Sequence, residues 1–265
     1  MGYAPAALTP YKANDMAQQQ KTTGTIDDDA VAHFARLAGR WWDPRGPWAT
    51  LHRFNPVRLA YIRDQAAAHF SRDPARLDSL AGLRILDIGC GGGVLCEPLA
   101  RLGAQLVGID PVAETIAAAQ HHAAAAGLAI DYRCTTAEAL AENGEVFDVV
   151  LAMEVVEHVA DFDLFIAQAA ALVKPGGLMF VATLNRTIKS FALLIVGAEY
   201  ILRWIPRGTH QWDKFITPDE LEIALERNGV SVIGETGVIY NLLADCFQLS
   251  TDMDANYMVV AEKAA

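Results

Sequence analysis

The segment Leu86-Asp87-Ile88-Gly89-Cys90-Gly91-Gly92-Gly93 constrains this chain more than any other. It closes a short apolar run, Arg84–Ile88. A helical pattern follows over Val94–Leu102, with Leu95, Leu99 and Leu102 at helical spacing and Pro98 near its start. A strand, a glycine-rich turn and a helix in that order open a parallel α/β unit. Glycines at such a turn let a ligand approach the backbone, beyond the carboxyl ends of the strands. A dinucleotide fingerprint would need a further glycine where Val94 stands. A pyrophosphate also has no need of the acidic Asp87. An acidic neighbourhood suits a cofactor whose sulfonium and α-amino groups are both positive.

The alternation continues downstream. Gln105–Asp110 reads as a second strand, and Val112–Ala126 as an Ala-rich helix stopped by Gly127. Leu128–Cys134 and Phe147–Ala152 read as strands three and four. Asp161–Val173 reads as a helix with Asp161 as N-cap. Lys174-Pro175-Gly176-Gly177 reads as a turn before strand five, Leu178–Leu184. Thr217-Pro218-Asp219-Glu220 is a capping box with Pro at the first helical position. Strands near Val230–Val238 and Asn256–Ala261 end the chain. Asp27–Trp42 and Pro56–Phe70 read as two helices that pack over one end of the sheet. The fold class is α/β, a Rossmann-like, mostly parallel sheet with right-handed crossovers.

Composition narrows the partners. Slightly over half of the 265 residues are hydrophobic, which suffices for a full core. The formal net charge of −11 disfavours nucleic acid as a partner. Cys90, Cys96, Cys134 and Cys246 form neither a disulfide framework nor a zinc pattern and read as reduced cytoplasmic thiols. Residues 1–26 read as a disordered tail without a targeting signal. Residues 27–265 read as one domain, with residues 27–72 as N-terminal helices and 186–213 as an apolar insertion. No apolar run approaches the ~18 residues a spanning helix needs.

Asp110, ending the second strand, can accept both hydroxyls of a ribose. Together with the glycine turn it gives the chain a pattern that resembles class I S-adenosylmethionine methyltransferases. The resemblance implies a seven-stranded sheet with the last strand antiparallel. It implies that Gly89 and Gly91 meet the methionine part of the cofactor and that Asp110 holds the ribose. Ala137 and Glu138 would border the adenine, and Met153 would pack beside the cofactor.

A narrower resemblance runs from about Asp27 to about Glu262. Its residues are Arg40-Trp41-Trp42-Asp43, Leu51-His52-Arg53-Phe54-Asn55-Pro56-Val57-Arg58-Leu59 and Met153-Glu154-Val155-Val156-Glu157-His158-Val159. Thr183-Leu184-Asn185-Arg186, Gly208-Thr209-His210, Lys214-Phe215-Ile216 and Asn256-Tyr257-Met258 complete it. In this order they resemble the ubiquinone biosynthesis O-methyltransferases. That family methylates phenolic hydroxyls of polyprenylated catechol-type intermediates at both O-methylation steps of one pathway. The resemblance sets Arg58 against the cofactor carboxylate, where a guanidinium fork fits. Trp41 and Trp42 read as core or lid aromatics.

Glu154, Glu157 and His158 stand at i, i+3 and i+4, a spacing that brings them to one helical face. Three readings fit. The set can hold a divalent metal such as Mg²⁺, which lowers a phenol's pKa. His158 can act as a general base without metal. Or the acids mark a helix start. His210 is a second candidate base.

The insertion carries Phe191-Ala192-Leu193-Leu194-Ile195-Val196-Gly197-Ala198, Tyr200-Ile201-Leu202 and Trp204-Ile205, flanked by Arg186, Lys189, Arg203 and Arg207. It fits either an interfacial membrane element or a lid helix. The resemblance implies contact with anionic lipid. It places the protein in the cytoplasm, peripherally on the inner face of the cytoplasmic membrane, beside other quinone-pathway enzymes. Two other functions stay open: a methyltransferase for another lipophilic phenol or for carbon, and a non-catalytic membrane protein that binds S-adenosylmethionine.

Overall fold

The computed structural model describes residues 24–193 and 212–265. Five parallel strands carry the sheet: β1 (Arg84–Ile88), β2 (Gln105–Asp110), β3 (Asp131–Cys134), β4 (Phe147–Met153) and β5 (Val173–Leu184). They lie in the spatial order β3-β2-β1-β4-β5. β6 (Val230–Asn241), β7 (Cys246–Ser250) and β8 (Asn256–Lys263) complete it. β8 runs antiparallel between β5 and β6, and β7 pairs antiparallel with β6 at the outer edge.

Among the described residues the sheet therefore has eight strands, not the expected seven. The added strand, β7, is short and mostly exposed, so no apolar run announces it. It forms because β6 continues to Asn241, past the expected Val238, and turns back on itself. The Lys174–Gly177 turn is realised as a bulge inside β5. Phe147 pairs with Val173, Val149 pairs with Leu178, and the residues between loop out.

Eight α-helical segments flank the sheet among the described residues: α1 (Asp28–Leu37), α2 (Ala49–His69), α3 (Cys96–Arg101), α4 (Ala113–Ala125), α5 (Ala137–Glu142), α6 (Phe162–Ala171), the single turn α7 (Ile188–Ser190) and α8 (Pro218–Arg227). The caps are those the residue types predict. Asp27 accepts from the Asp29 and Ala30 N–H groups, and Asp161 from Leu164 N–H at 3.0 Å. The Thr217–Glu220 capping box closes in both directions.

Alternate strand residues face opposite cores, as expected for a sheet covered on both sides. Ile85, Val149 and Leu151 pack with Tyr61, Ile62 and Leu99. Leu86, Val150 and Ala152 pack with Phe165, Ile166 and Leu221 on the other face. α2 starts at Ala49 rather than at the expected Pro56, and it covers a face of the sheet rather than an end. Pro56 sits inside the helix, where it cannot donate to the His52 carbonyl. Tertiary burial of Phe54, Tyr61 and Ile62 outweighs that loss.

The expected tail falls outside the described residues up to residue 23. Thr25 does not behave as tail. It is buried, and its N–H and hydroxyl donate to Glu138 at 2.8 and 2.6 Å. Of the insertion, residues 194–211 also lie outside the described residues, and His210 with them.

Candidate active site

The parallel strands end on one side of the sheet, and there a cavity of about 280 Å³ opens. Gly89, Gly91, Asp110, Arg58, Met153, Glu154, Glu157 and His158 all line it. Residues scattered over a hundred positions meet because β2, β1 and β4 are adjacent and end together.

Gly91 is held at φ +54°, and a Cβ there would lie 2.4 Å from the Trp41 indole. Backbone conformation and space both demand glycine. Asp110 accepts from Gly91 N–H at 3.2 Å and from Val112 N–H at 2.9 Å. It therefore ties the glycine turn to the end of β2 and also serves the start of α4. Burial pushes its carboxyl up to about 6, against those two bonds. Asp87 is 3% exposed and accepts from the Cys96 thiol at 3.1 Å. Burial pushes it up to about 6 as well.

Arg58 is buried, 3% exposed, and donates to Asn55 Oδ1 at 3.1 Å. Its Nε has no partner. Burial pulls its pKa down, while the Glu154 and Asp87 charges push it back up. A buried guanidinium with an open donor is a receptor for an incoming carboxylate. Arg58 for the carboxylate, Asp87 for positive charge and Asp110 for hydroxyls fit S-adenosylmethionine. Met153 and Ala137 line the same cavity. Glu138 is not among its lining residues; it anchors Thr25 instead.

The metal set expected from Glu154, Glu157 and His158 is not assembled. Among the described residues no three His, Cys, Asp or Glu side chains are placed to hold a metal ion. The reason is local backbone geometry. Glu154 adopts a left-handed φ of +59° and only Val156–His158 form a 3-10 turn, so the helical spacing does not apply. Glu154 accepts from Asn256 Nδ2 at 3.1 and 3.3 Å. Glu157 is 3% exposed, and Thr183 donates to its Oε2 at 2.8 Å. Burial, and then the Glu154 charge, push Glu157 up to about 8.

The sequence reading missed much of the roof. Residues 24–48 fold over the cavity. Trp41 covers Gly91 and Gly92, and Trp42 Nε1 donates to the Gly92 carbonyl at 2.9 Å. Trp42 also stacks on His122 at 3.5 Å, and His122 Nδ1 lies 2.6 Å from buried Glu97. Lys214 pairs with Asp27, joining the far side of the insertion to the N-cap of α1. Of the two tryptophans read as core or lid aromatics, Trp41 lines the cavity and Trp42 does not. Thr25, Phe34 and Trp48 gave no comparable signal, because their partners lie far along the chain.

A Rossmann-like sheet, a glycine turn over buried carboxylates and an open guanidinium define an S-adenosylmethionine-dependent methyltransferase. The family model described as a methyltransferase domain matches residues 50–235. The fold is shared with magnesium protoporphyrin IX methyltransferase of Synechocystis PCC 6803, solved with bound SAH. That likeness has a TM-score of 0.58 at 20% identity and covers 88% of this chain and 94% of that one. An S-adenosylmethionine-dependent methyltransferase of Clostridium acetobutylicum gives a TM-score of 0.59 at 12% identity, over 88% and 99% of the two chains. Among curated relatives, the ubiquinone biosynthesis O-methyltransferase of Chelativorans sp. is 60% identical over 94% of this chain and 97% of its own. That of Brucella ovis is 59% identical over 91% and 97%. The chain belongs to the ubiquinone biosynthesis O-methyltransferase family.

Proposed function

We propose that the enzyme moves a methyl group from S-adenosylmethionine to a phenolic hydroxyl of polyprenylated catechol-type intermediates, at both O-methylation steps of ubiquinone biosynthesis. The carrying observation is one cavity that joins Arg58, Gly91 and Asp110 to Glu157 and His158. The family relationship supports the choice of acceptor. S-adenosylmethionine, when bound, supplies a methyl on a positive sulfur that a phenolate oxygen takes by direct displacement. Arg58 and Asp110 fix the two ends of the cofactor, and such positioning supplies about 7–11 kcal/mol of the barrier. Ionising a phenol of pKa near 10 at pH 7 costs about 4 kcal/mol. His158, beside the exit of β4, takes the hydroxyl proton on its imidazole. The test is methyl transfer from labelled cofactor to a panel of catechols, phenols and non-phenolic acceptors. Methyl ethers should form on catechols; carbon methylation, or binding without turnover, would overturn the reading.

The site of work follows from the acceptor. We propose a peripheral position on the inner face of the cytoplasmic membrane, against anionic lipid and beside other enzymes of the pathway. Among the described residues no helix is long and apolar enough to cross a membrane. Ile188, Phe191 and Leu193 are exposed where the chain enters the insertion. Arg186 and Lys189, expected to meet lipid, are ion-paired with Glu220 and with Asp252 and Asp254. The lipid contact therefore rests on the apolar side chains more than on these two charges. Flotation with anionic vesicles should carry the protein upward even in salt; failure to float removes the membrane reading.

A further inference from the structure

α1 is amphipathic, with Val31, Phe34 and Leu37 at i, i+3 and i+6, yet none of its residues is buried. An amphipathic helix ordinarily covers its apolar stripe with core. Here the stripe lines the cavity instead. It also belongs to an aromatic row. Trp41 lies over Gly91, and Trp48 stacks on Trp41 with centroids 3.9 Å apart. Phe34 follows at 5.9 Å from Trp48, and His158 at 5.1 Å from Phe34 with the two rings near perpendicular. The row runs from the cofactor turn to the turn after β4. At its β4 end, aromatic carbon meets the imidazole that can take a proton.

We propose that Phe34 binds the aromatic ring of the methyl acceptor and so sets which acceptors the enzyme takes. A phenol has an apolar face and a polar edge. Phe34 packs on the ring body at the 4.5–7 Å separation aromatic pairs prefer, which leaves the hydroxyl directed to His158. Aliphatic acceptors of similar polarity lose that contact. The inference rests on the phenolic acceptor proposed above. It adds that a residue from the N-terminal roof, outside the methyltransferase-domain match at residues 50–235, chooses the acceptor.

The test compares wild type, Phe34→Ala and Phe34→Tyr with a soluble, short-tailed catechol. Calorimetry with S-adenosylhomocysteine reports whether the cofactor half is intact. The acceptor KM of Phe34→Ala should rise by about tenfold, the size of one aromatic contact. Its S-adenosylhomocysteine affinity should stay within about twofold, and Phe34→Tyr should restore the acceptor KM. An unchanged KM, or equal losses of acceptor and cofactor affinity, overturns the inference while phenol turnover by wild type keeps the reaction itself. If wild type methylates only non-aromatic acceptors, the reaction reading fails first and the inference fails with it.

Discussion

The floor and the roof of the cavity are built from different materials. The floor, at the ends of β1 and β2, is backbone and buried charge: Gly89, Gly91, Asp87 and Asp110. The roof, residues 24–48, is aromatic side chains and partly buried polar contacts: Trp41, Trp42, Thr25 to Glu138, and Asp27 to Lys214. The strands that carry the floor are paired on both sides. The roof is held by contacts that can break without disturbing the core. Cofactor affinity should therefore reside in the floor, and entry and release should be governed by the roof.

The largest test strikes where the two meet. Gly91→Val places a branched side chain at φ +54°, against the Trp41 ring. The conformation costs about 1–2 kcal/mol and the overpacking about 1–3 kcal/mol more. Binding of S-adenosylhomocysteine should vanish in calorimetry, with a lowered melting temperature. A variant that binds normally would mean that the floor is not the rigid partner.

Next is Asp110→Ala, which should weaken that binding by about 10- to 150-fold, the loss of charge-assisted bonds worth about 1.5–3 kcal/mol. Unchanged affinity would remove its ribose role. The same carboxylate predicts a pH dependence. Its folded pKa, raised to about 6, favours the protonated form, so its contribution to apo stability is lost as pH rises through 6. Binding needs the ionised form. Affinity should therefore climb between pH 5 and about 6.5 and then level, by at most tenfold per pH unit for this group. Asp110→Asn should flatten that part of the profile.

The smallest effect belongs to the roof. Lys214→Met removes the ion pair to Asp27, whose partners are partly exposed. Such pairs are worth about 0.2–1 kcal/mol. Stopped-flow release of S-adenosylhomocysteine should speed by a few-fold at most, with the equilibrium constant moving no further than that. A loss as large as that of Asp110→Ala would erase the distinction between floor and roof.

The sequence by itself determined what depends on near neighbours in the chain. Strand–turn–helix order, the caps at Asp27, Asp161 and Thr217, and the glycine turn with Asp87 all act over a few residues. Their order along the chain also carried the family, and with it Arg58 and Asp110. Only the tertiary structure decided the rest. β7 exists because β6 has an edge to offer, and Thr25 is held in place because Glu138, 113 residues away, accepts from it. Glu154, Glu157 and His158 looked like one helical face, but Glu154, the residue after β4, is left-handed and only Val156–His158 form a turn. The apolar stripe of α1 was legible as a helix face, yet nothing in its spacing said that it would meet a cavity rather than a core. Periodicity reports which residues leave water. What they leave it for is settled by elements that pack from far along the chain.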